Sequence, residues 1–217
     1  MIESENITML QKATGFALLA CSALFGLSLA SGVRAAEVSK LVETCANCHG
    51  KDGASTESDT PTIGGYSAPY LTDALKAYKQ KDRPCPETKI RAGEKKGTVT
   101  DMCKVAKDLS DGEAKEVAKY YAGKKFVRAT QKFNPALAMK GKKIHEDFCE
   151  KCHSEGGSAA GDDDAGILAG QWVPYLNDQF KDYASGNRTA PKKMQSMLKK
   201  LDKADIEALI NYYASFK

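Results

Sequence analysis

Cys149-Glu150-Lys151-Cys152-His153 decides the reading of this chain, because Cys45-Ala46-Asn47-Cys48-His49 states the same pattern about a hundred residues earlier. Each copy is C-x-x-C-H, the attachment pattern of a c-type haem. Two thiols add across the vinyl groups of the porphyrin, and the adjacent imidazole binds the iron. A lone C-x-x-C also suits a thioredoxin-like redox pair, and two such pairs together suit zinc. Zinc ribbons, however, keep their pairs within a few tens of residues, and zinc gives no reason for a histidine directly after both. The sequence therefore predicts two covalently attached haem c groups (iron), held through Cys45, Cys48, Cys149 and Cys152, with His49 and His153 as iron ligands.

The chain has 217 residues, 42% of them hydrophobic and 28% charged, which suits one or two ordinary globular domains. Residues 13–33 carry no charge and follow Lys12, and small residues around Ala35 offer a cleavage site. This reads as a secretory signal over 1–35, removed near Ala35. Two other readings remain open: an uncleaved anchor, and a lipoprotein box at Leu18-Leu19-Ala20-Cys21. Each places the folded part outside the cytoplasm, with a periplasmic location expected. Cleavage removes Glu3, Glu5, Lys12 and Arg34, so the formal charge stays at +4. That is weakly basic, and without an aromatic-basic stripe it gives no support for a nucleic-acid partner.

The chain also repeats itself. Pro69-Tyr70-Leu71 through Tyr78 matches Pro174-Tyr175-Leu176 through Tyr183, and Arg83 falls opposite Arg188. Ile63-Gly64-Gly65 answers Leu168-Ala169-Gly170, and Tyr120-Tyr121-Ala122 answers Tyr212-Tyr213-Ala214. Two domains are predicted, 36–128 and 129–217. Each reads as all-α. A helix enters the motif, a middle helix follows Pro-Tyr-Leu, and a last helix opens after the N-cap Ser110 or Asp202. The last helix carries apolar residues at helical spacing: Ala114, Val117, Ala118, Tyr121 and Ile206, Leu209, Ile210, Tyr213. No strand is predicted.

With these motifs in view, the chain resembles a dihaem class I cytochrome c, of the group holding cytochrome c4 and the cytochrome subunit of flavocytochrome c sulfide dehydrogenase. The stretches Gly141-Lys142-Lys143-Ile144-His145-Glu146, Cys149 to Gly157, Ile167 to Leu176 and Lys193-Met194 carry the likeness. They resemble the sulfide dehydrogenase subunit more than an average cytochrome c4. In the first half, Gly64-Gly65-Tyr66 stands where the family often has Ala-Gly-Gln. The resemblance implies two tandem class I cytochrome c domains, each a few helices wrapped around one haem. It also implies a distal methionine after each middle helix, and Met102 and Met194 align there. Met197 reads as core and Met139 as packing or surface. His145 is open to a bis-histidine reading, but it sits where the family has a packing residue.

The first half is 13 residues longer between Leu71 and its methionine, and this insertion carries Cys85. With Cys21 removed and four cysteines on haem, Cys85 and Cys103 are left to pair in an oxidising compartment. The rival assignment makes Cys103 an iron ligand, as cysteine is in some sulfur-oxidising cytochromes. Asp162-Asp163-Asp164 lacks calcium-loop spacing and reads as a solvated turn. Lys192, Lys193, Lys199 and Lys200 flank Met194, and Lys95 and Lys96 precede Met102; they are either plain solubility or a docking ring. The function predicted is electron transfer without substrate turnover. The expected partners are redox proteins: a flavoprotein sulfide dehydrogenase subunit, a terminal oxidase or another cytochrome. The second hypothesis is an enzyme, a dihaem peroxidase or a thiosulfate-oxidising cytochrome, and the two matched methionines oppose it.

Overall fold

A computed structural model describes residues 37–159 and 165–217, and residues 42–217 cluster as one compact unit. The leader over 1–35 and the turn at Asp162-Asp163-Asp164 lie outside the described residues. Helix α1 covers 37–49, followed by α2 (Ala68–Gln80), β1 (Thr88–Lys89), β2 (Val99–Thr100), α3 (Met102–Lys107) and α4 (Asp111–Ala122). The second half runs α5 (Pro135–Phe148), the short turn α6 (Ser154–Gly157), α7 (Val173–Ser185), α8 (Lys192–Leu198) and α9 (Lys203–Ala214). Thus α1, α2, α3 and α4 reappear as α5, α7, α8 and α9. Among the described residues no helix is long and apolar enough to cross a membrane.

The local causes are explicit in the caps. Ser110 accepts from the Glu113 N–H while the Glu113 carboxylate accepts from the Ser110 N–H, and Asp202 and Asp205 repeat this box at α9. Pro69 and Pro174 stand in the first turns of α2 and α7, where a missing N–H costs nothing. The middle helices end differently. Gly186 closes α7 in the left-handed region at φ 76°, whereas the aligned Lys81 closes α2 at φ 62°. A side chain there costs about 1–2 kcal/mol, and from that point the first half departs into its insertion.

The largest core lies in the second half, where Ile144, Leu176, Leu209, Ile210 and Tyr213 are buried together. Burying each such side chain contributes about 1.5–3 kcal/mol. Helix α5 crosses α9 at Gly141, where a Cβ would collide with the backbone carbonyl of Ala208. Glycine permits that approach, so Ile144 and His145 reach the face of α9. In the first half, Val117, Ala118 and Tyr121 of α4 are buried.

One element differs from the all-α expectation. The insertion folds as a minimal antiparallel pair, with Thr88 opposite Thr100 and Lys89 opposite Val99. Two-residue strands carry no detectable alternation, which is why the sequence pattern missed them.

The halves meet through reciprocal contacts. Gln171, fully buried, takes the Thr62 N–H on Oε1 (3.0 Å) and donates Nε2 to the Thr62 carbonyl (2.9 Å). Tyr66, which aligns with Gln171, donates its hydroxyl to the carbonyl of Ile167 (2.8 Å), and Ile167 aligns with Thr62. Each half therefore reaches the same backbone position of the other. Arg83, 5% exposed, adds bonds to Tyr175 and Gln179 across the boundary, 2.7 Å each, while its guanidinium lies over the Tyr78 ring. Arg188 repeats that stacking over Tyr183 and shares the Gln179 oxygen.

Candidate functional site

The two attachment motifs repeat almost bond for bond. In the first, Gly53 O accepts from Ile63 N–H (2.8 Å) and Gly64 N–H (3.3 Å); in the second, Gly157 O accepts from Leu168 N–H (2.8 Å) and Ala169 N–H (2.9 Å). Gly65 N–H bonds Tyr121 O at 2.9 Å, as Gly170 N–H bonds Tyr213 O at 2.7 Å. Gly53 and Gly157, at φ 76° and 89°, make the turns that bring each following segment back to its histidine. There His49 Nδ1 donates to the Pro61 carbonyl (2.9 Å) and His153 Nδ1 to the Gly166 carbonyl (2.8 Å). A carbonyl only accepts, so the proton sits on Nδ1 and the Nε2 lone pair is left for a metal. Burial lowers both histidine pKa values, against the opposing pull of those carbonyls, and keeps the rings neutral.

The thiols fit the same chemistry. Burial pushes Cys45 and Cys149 up to about 11. Such thiols stay protonated at neutral pH, unlike the low-pKa nucleophile of a redox C-x-x-C pair. Zinc fits no better. Among the described residues, the one trio of His, Cys or acidic ligand atoms within 4.8 Å is Cys85, Asp101 and Cys103. Two of those are already joined, since Cys85 and Cys103 form a disulfide with Cα atoms 5.7 Å apart.

Met102 opens α3, directly after its N-cap Asp101 and beside the disulfide, and is half-buried. Met194 lies in the first turn of α8, also half-buried. Near it a cavity of about 460 Å³ opens between α7, the segment before α8 and α9, walled by Phe180, Tyr183, Ala190, Leu198 and Ile206. Arg188 and Lys199 also line it. That cavity touches neither the Cys149–His153 motif nor Met194, and the fit to the group that the motifs imply rests on the donors instead: each half sets two thiols beside a histidine whose Nδ1 is held by a carbonyl, which leaves Nε2 for iron.

The other sulfur and imidazole candidates are otherwise engaged. Met139 is 73% exposed on α5, and the Met197 sulfur faces the Lys200 ammonium at 3.7 Å. His145 is fully buried, with Nδ1 accepting from the Tyr213 hydroxyl (3.0 Å) and Nε2 donating to Glu150 (2.7 Å). Both its nitrogens are taken, and it packs against α9. The Gln171–Thr62 and Tyr66–Ile167 pairing escaped the sequence reading, although the aligned positions 66 and 171 were in view.

Two similar helical halves, each presenting a neutral histidine beside two tethering thiols, define a two-domain c-type cytochrome. A sequence model of the cytochrome c family matches residues 35–122 and 138–217. Cytochrome c4 from Stutzerimonas stutzeri is 32% identical over 209 residues, covering 90% of this chain and 94% of that protein. The crystal structure of reduced recombinant cytochrome c4 from Pseudomonas stutzeri superposes with a TM-score of 0.66 at 30% identity, covering 84% of this chain and 97% of that one. Thiosulfate dehydrogenase from Marichromatium purpuratum, at 23% identity and TM-score 0.60, covers 79% of this chain and 36% of its own and shares the fold alone. The chain belongs to the cytochrome c family, as a dihaem protein of the cytochrome c4 type. It is an electron-transfer protein with covalently attached haem c in each of its two domains.

Proposed function

We propose that the chain is a free-standing periplasmic carrier that takes electrons from one redox protein and delivers them to another, such as a terminal oxidase. In this reading residues 1–35 are a cleaved leader, and 36–128 and 129–217 are the two domains. Cys45 and Cys48 would tether one haem, Cys149 and Cys152 the other, and His49 with Met102, and His153 with Met194, would supply the iron ligands. A haem so held supplies one reversible electron per iron, at a potential that a thioether ligand raises. The observation that carries the reading is the pair of Nδ1–carbonyl bonds, which fix both rings with Nε2 as the metal-facing atom.

The protein's own residues supply the rigidity that electron transfer needs. The Asp101 carboxylate caps α3 through the Lys104 N–H (2.8 Å), and the Cys85–Cys103 bond anchors the residue beside Met102. Gln171 and Tyr66 lock the halves to each other, so the two sites keep a fixed separation.

The second reading is the cytochrome subunit of a flavin-dependent sulfide dehydrogenase, which the second-half motifs favour. The end-to-end match to cytochrome c4 supports the free carrier over it. Purification from the native host at low salt separates the two. A cytochrome eluting alone supports the carrier, and a stoichiometric flavin subunit replaces it with the complex.

A further inference from the structure

The first half owns a structural element that the second lacks, and it sits on the attachment motif. The insertion between α2 and α3 turns over at 90–98, and there Arg91 N–H and Ala92 N–H both bond the carbonyl of Asn47 (2.9 and 3.1 Å). Asn47 is the second x of the first C-x-x-C-H. Gly93, at φ 72°, packs so closely that a Cβ would stand 2.8 Å from the Asn47 amide. The Arg91 guanidinium reaches Asp59 (2.6 Å) and comes within 4.0 Å of Glu57. Both acids lie on the loop leading to Pro61, the acceptor of His49. The Cys85–Cys103 disulfide closes the base of the insertion.

Among the described residues, no backbone segment caps the aligned position of the second half. Lys151 takes the place of Asn47 and is exposed, whereas Asn47 is half-buried. His49 is buried and His153 only half-buried. The segment from Leu176 to Met194 is 13 residues shorter, too short to provide such a cover.

We propose that the β1–β2 insertion is a cap strapped over the first attachment motif, so that redox agents exchange electrons with the protein at the second, beside Lys151. Because Asn47 adjoins Cys48, anything lying on Asn47 lies beside the vinyl edge to which that thiol bonds. A partner needs that edge within close reach, and the cap adds a layer of backbone there. At the second motif Lys151 stands in the same place and is exposed, flanked by Glu150 and the exposed Glu155, with no backbone of the insertion to cover it.

The proposal rests on both motifs holding haem, and its test keeps the two ideas apart. Holoprotein is titrated with a neutral gadolinium chelate, and relaxation of the haem ring-methyl signals is followed, each signal assigned by Overhauser contacts to His49 or His153. Absence of either set of signals would strike at the haem assignment itself. With both present, the His153 set should relax severalfold faster, and Gly93→Val or Arg91→Ala should raise the His49 set towards it. Equal relaxation in the wild type overturns the cap. As the access arm, oxidation of reduced holoprotein by ferricyanide, an anionic probe, is measured at low salt. Lys151→Glu should slow it severalfold, while the same charge change on the cap, Lys89→Glu, should leave it nearly unchanged. Equal slowing by both overturns the assignment of the second motif as the open face.

Discussion

Replacing Gln171 by leucine should weaken the joint between the halves more than any other single change at the boundary. Leucine nearly conserves volume but removes four hydrogen bonds: Thr62 N–H, Thr62 C=O, the Tyr66 hydroxyl and the Trp172 N–H. The Tyr66 hydroxyl keeps Ile167 O, and the Trp172 N–H is only partly buried. The two Thr62 backbone groups are the serious loss, since Thr62 is 1% exposed. Stranding a buried polar group costs about 1–3 kcal/mol, so the expected loss for the two Thr62 groups is about 2–6 kcal/mol. Tyr66→Phe strands one buried acceptor, the Ile167 carbonyl, while Gln171 Nε2 keeps Thr62 O, so it should cost about 1–3 kcal/mol, the smaller loss. The assay is guanidinium denaturation of oxidised holoprotein, followed by haem absorption and far-ultraviolet circular dichroism. Gln171→Leu should lower the midpoint and separate the two signals as the halves lose coupling. A loss no larger than that of Tyr66→Phe, with the signals still coincident, would refute the claim that residue 171 holds the boundary.

Thiol labelling of denatured, unreduced holoprotein should find no reactive cysteine, and two labelled thiols would remove the disulfide. The double variant Cys85→Ser, Cys103→Ser should lose about 3 kcal/mol, the chain-entropy figure for a loop of this size. Electron transfer with a native partner should slow with added salt, as the Debye length falls from about 10 Å at 0.1 M to about 3 Å at 1 M. Changing Lys192, Lys193, Lys199 and Lys200 to glutamine should slow it at low salt; a rate indifferent to both makes those lysines a solvated face. In acid, the Asp205 carboxyl matters. Its bond to Lys140, and then the Asp202 N–H, hold it below its ordinary 3.8. Its contribution is therefore present above that value and fades as the pH falls through the lower folded one. Asp205→Asn should flatten the acid limb of stability against pH, and an unchanged limb counts against the α5–α9 ion pair.

What the sequence revealed follows the strength of each local signal. Both motifs carry their chemistry in five consecutive residues. The caps at Ser110 and Asp202 precede helices where expected, because a capping box is a local device. The repeat placed the middle and last helices in both halves. Three features needed the folded chain. Two-residue strands at 88–89 and 99–100 are held by the loop between them and leave no alternation to read. Arg83 looks like a surface charge until Tyr78, Tyr175 and Gln179 close around it. Tyr66 looked like a departure from Ala-Gly-Gln. Yet its hydroxyl reaches the carbonyl of Ile167, the position aligned with the Thr62 that Gln171 holds, so a different side chain makes the reciprocal contact.

The central claim is that each half gives its iron one histidine and one methionine, and near-infrared absorption of the oxidised holoprotein tests it most directly. A thioether opposite imidazole gives a weak sulfur-to-iron band, so Met102→Ala and Met194→Ala should each remove about half of it, and the double variant all of it. Met139→Ala and Met197→Ala should leave it whole. Full retention in either Met102→Ala or Met194→Ala would contradict the account by assigning that iron's sixth ligand to another residue.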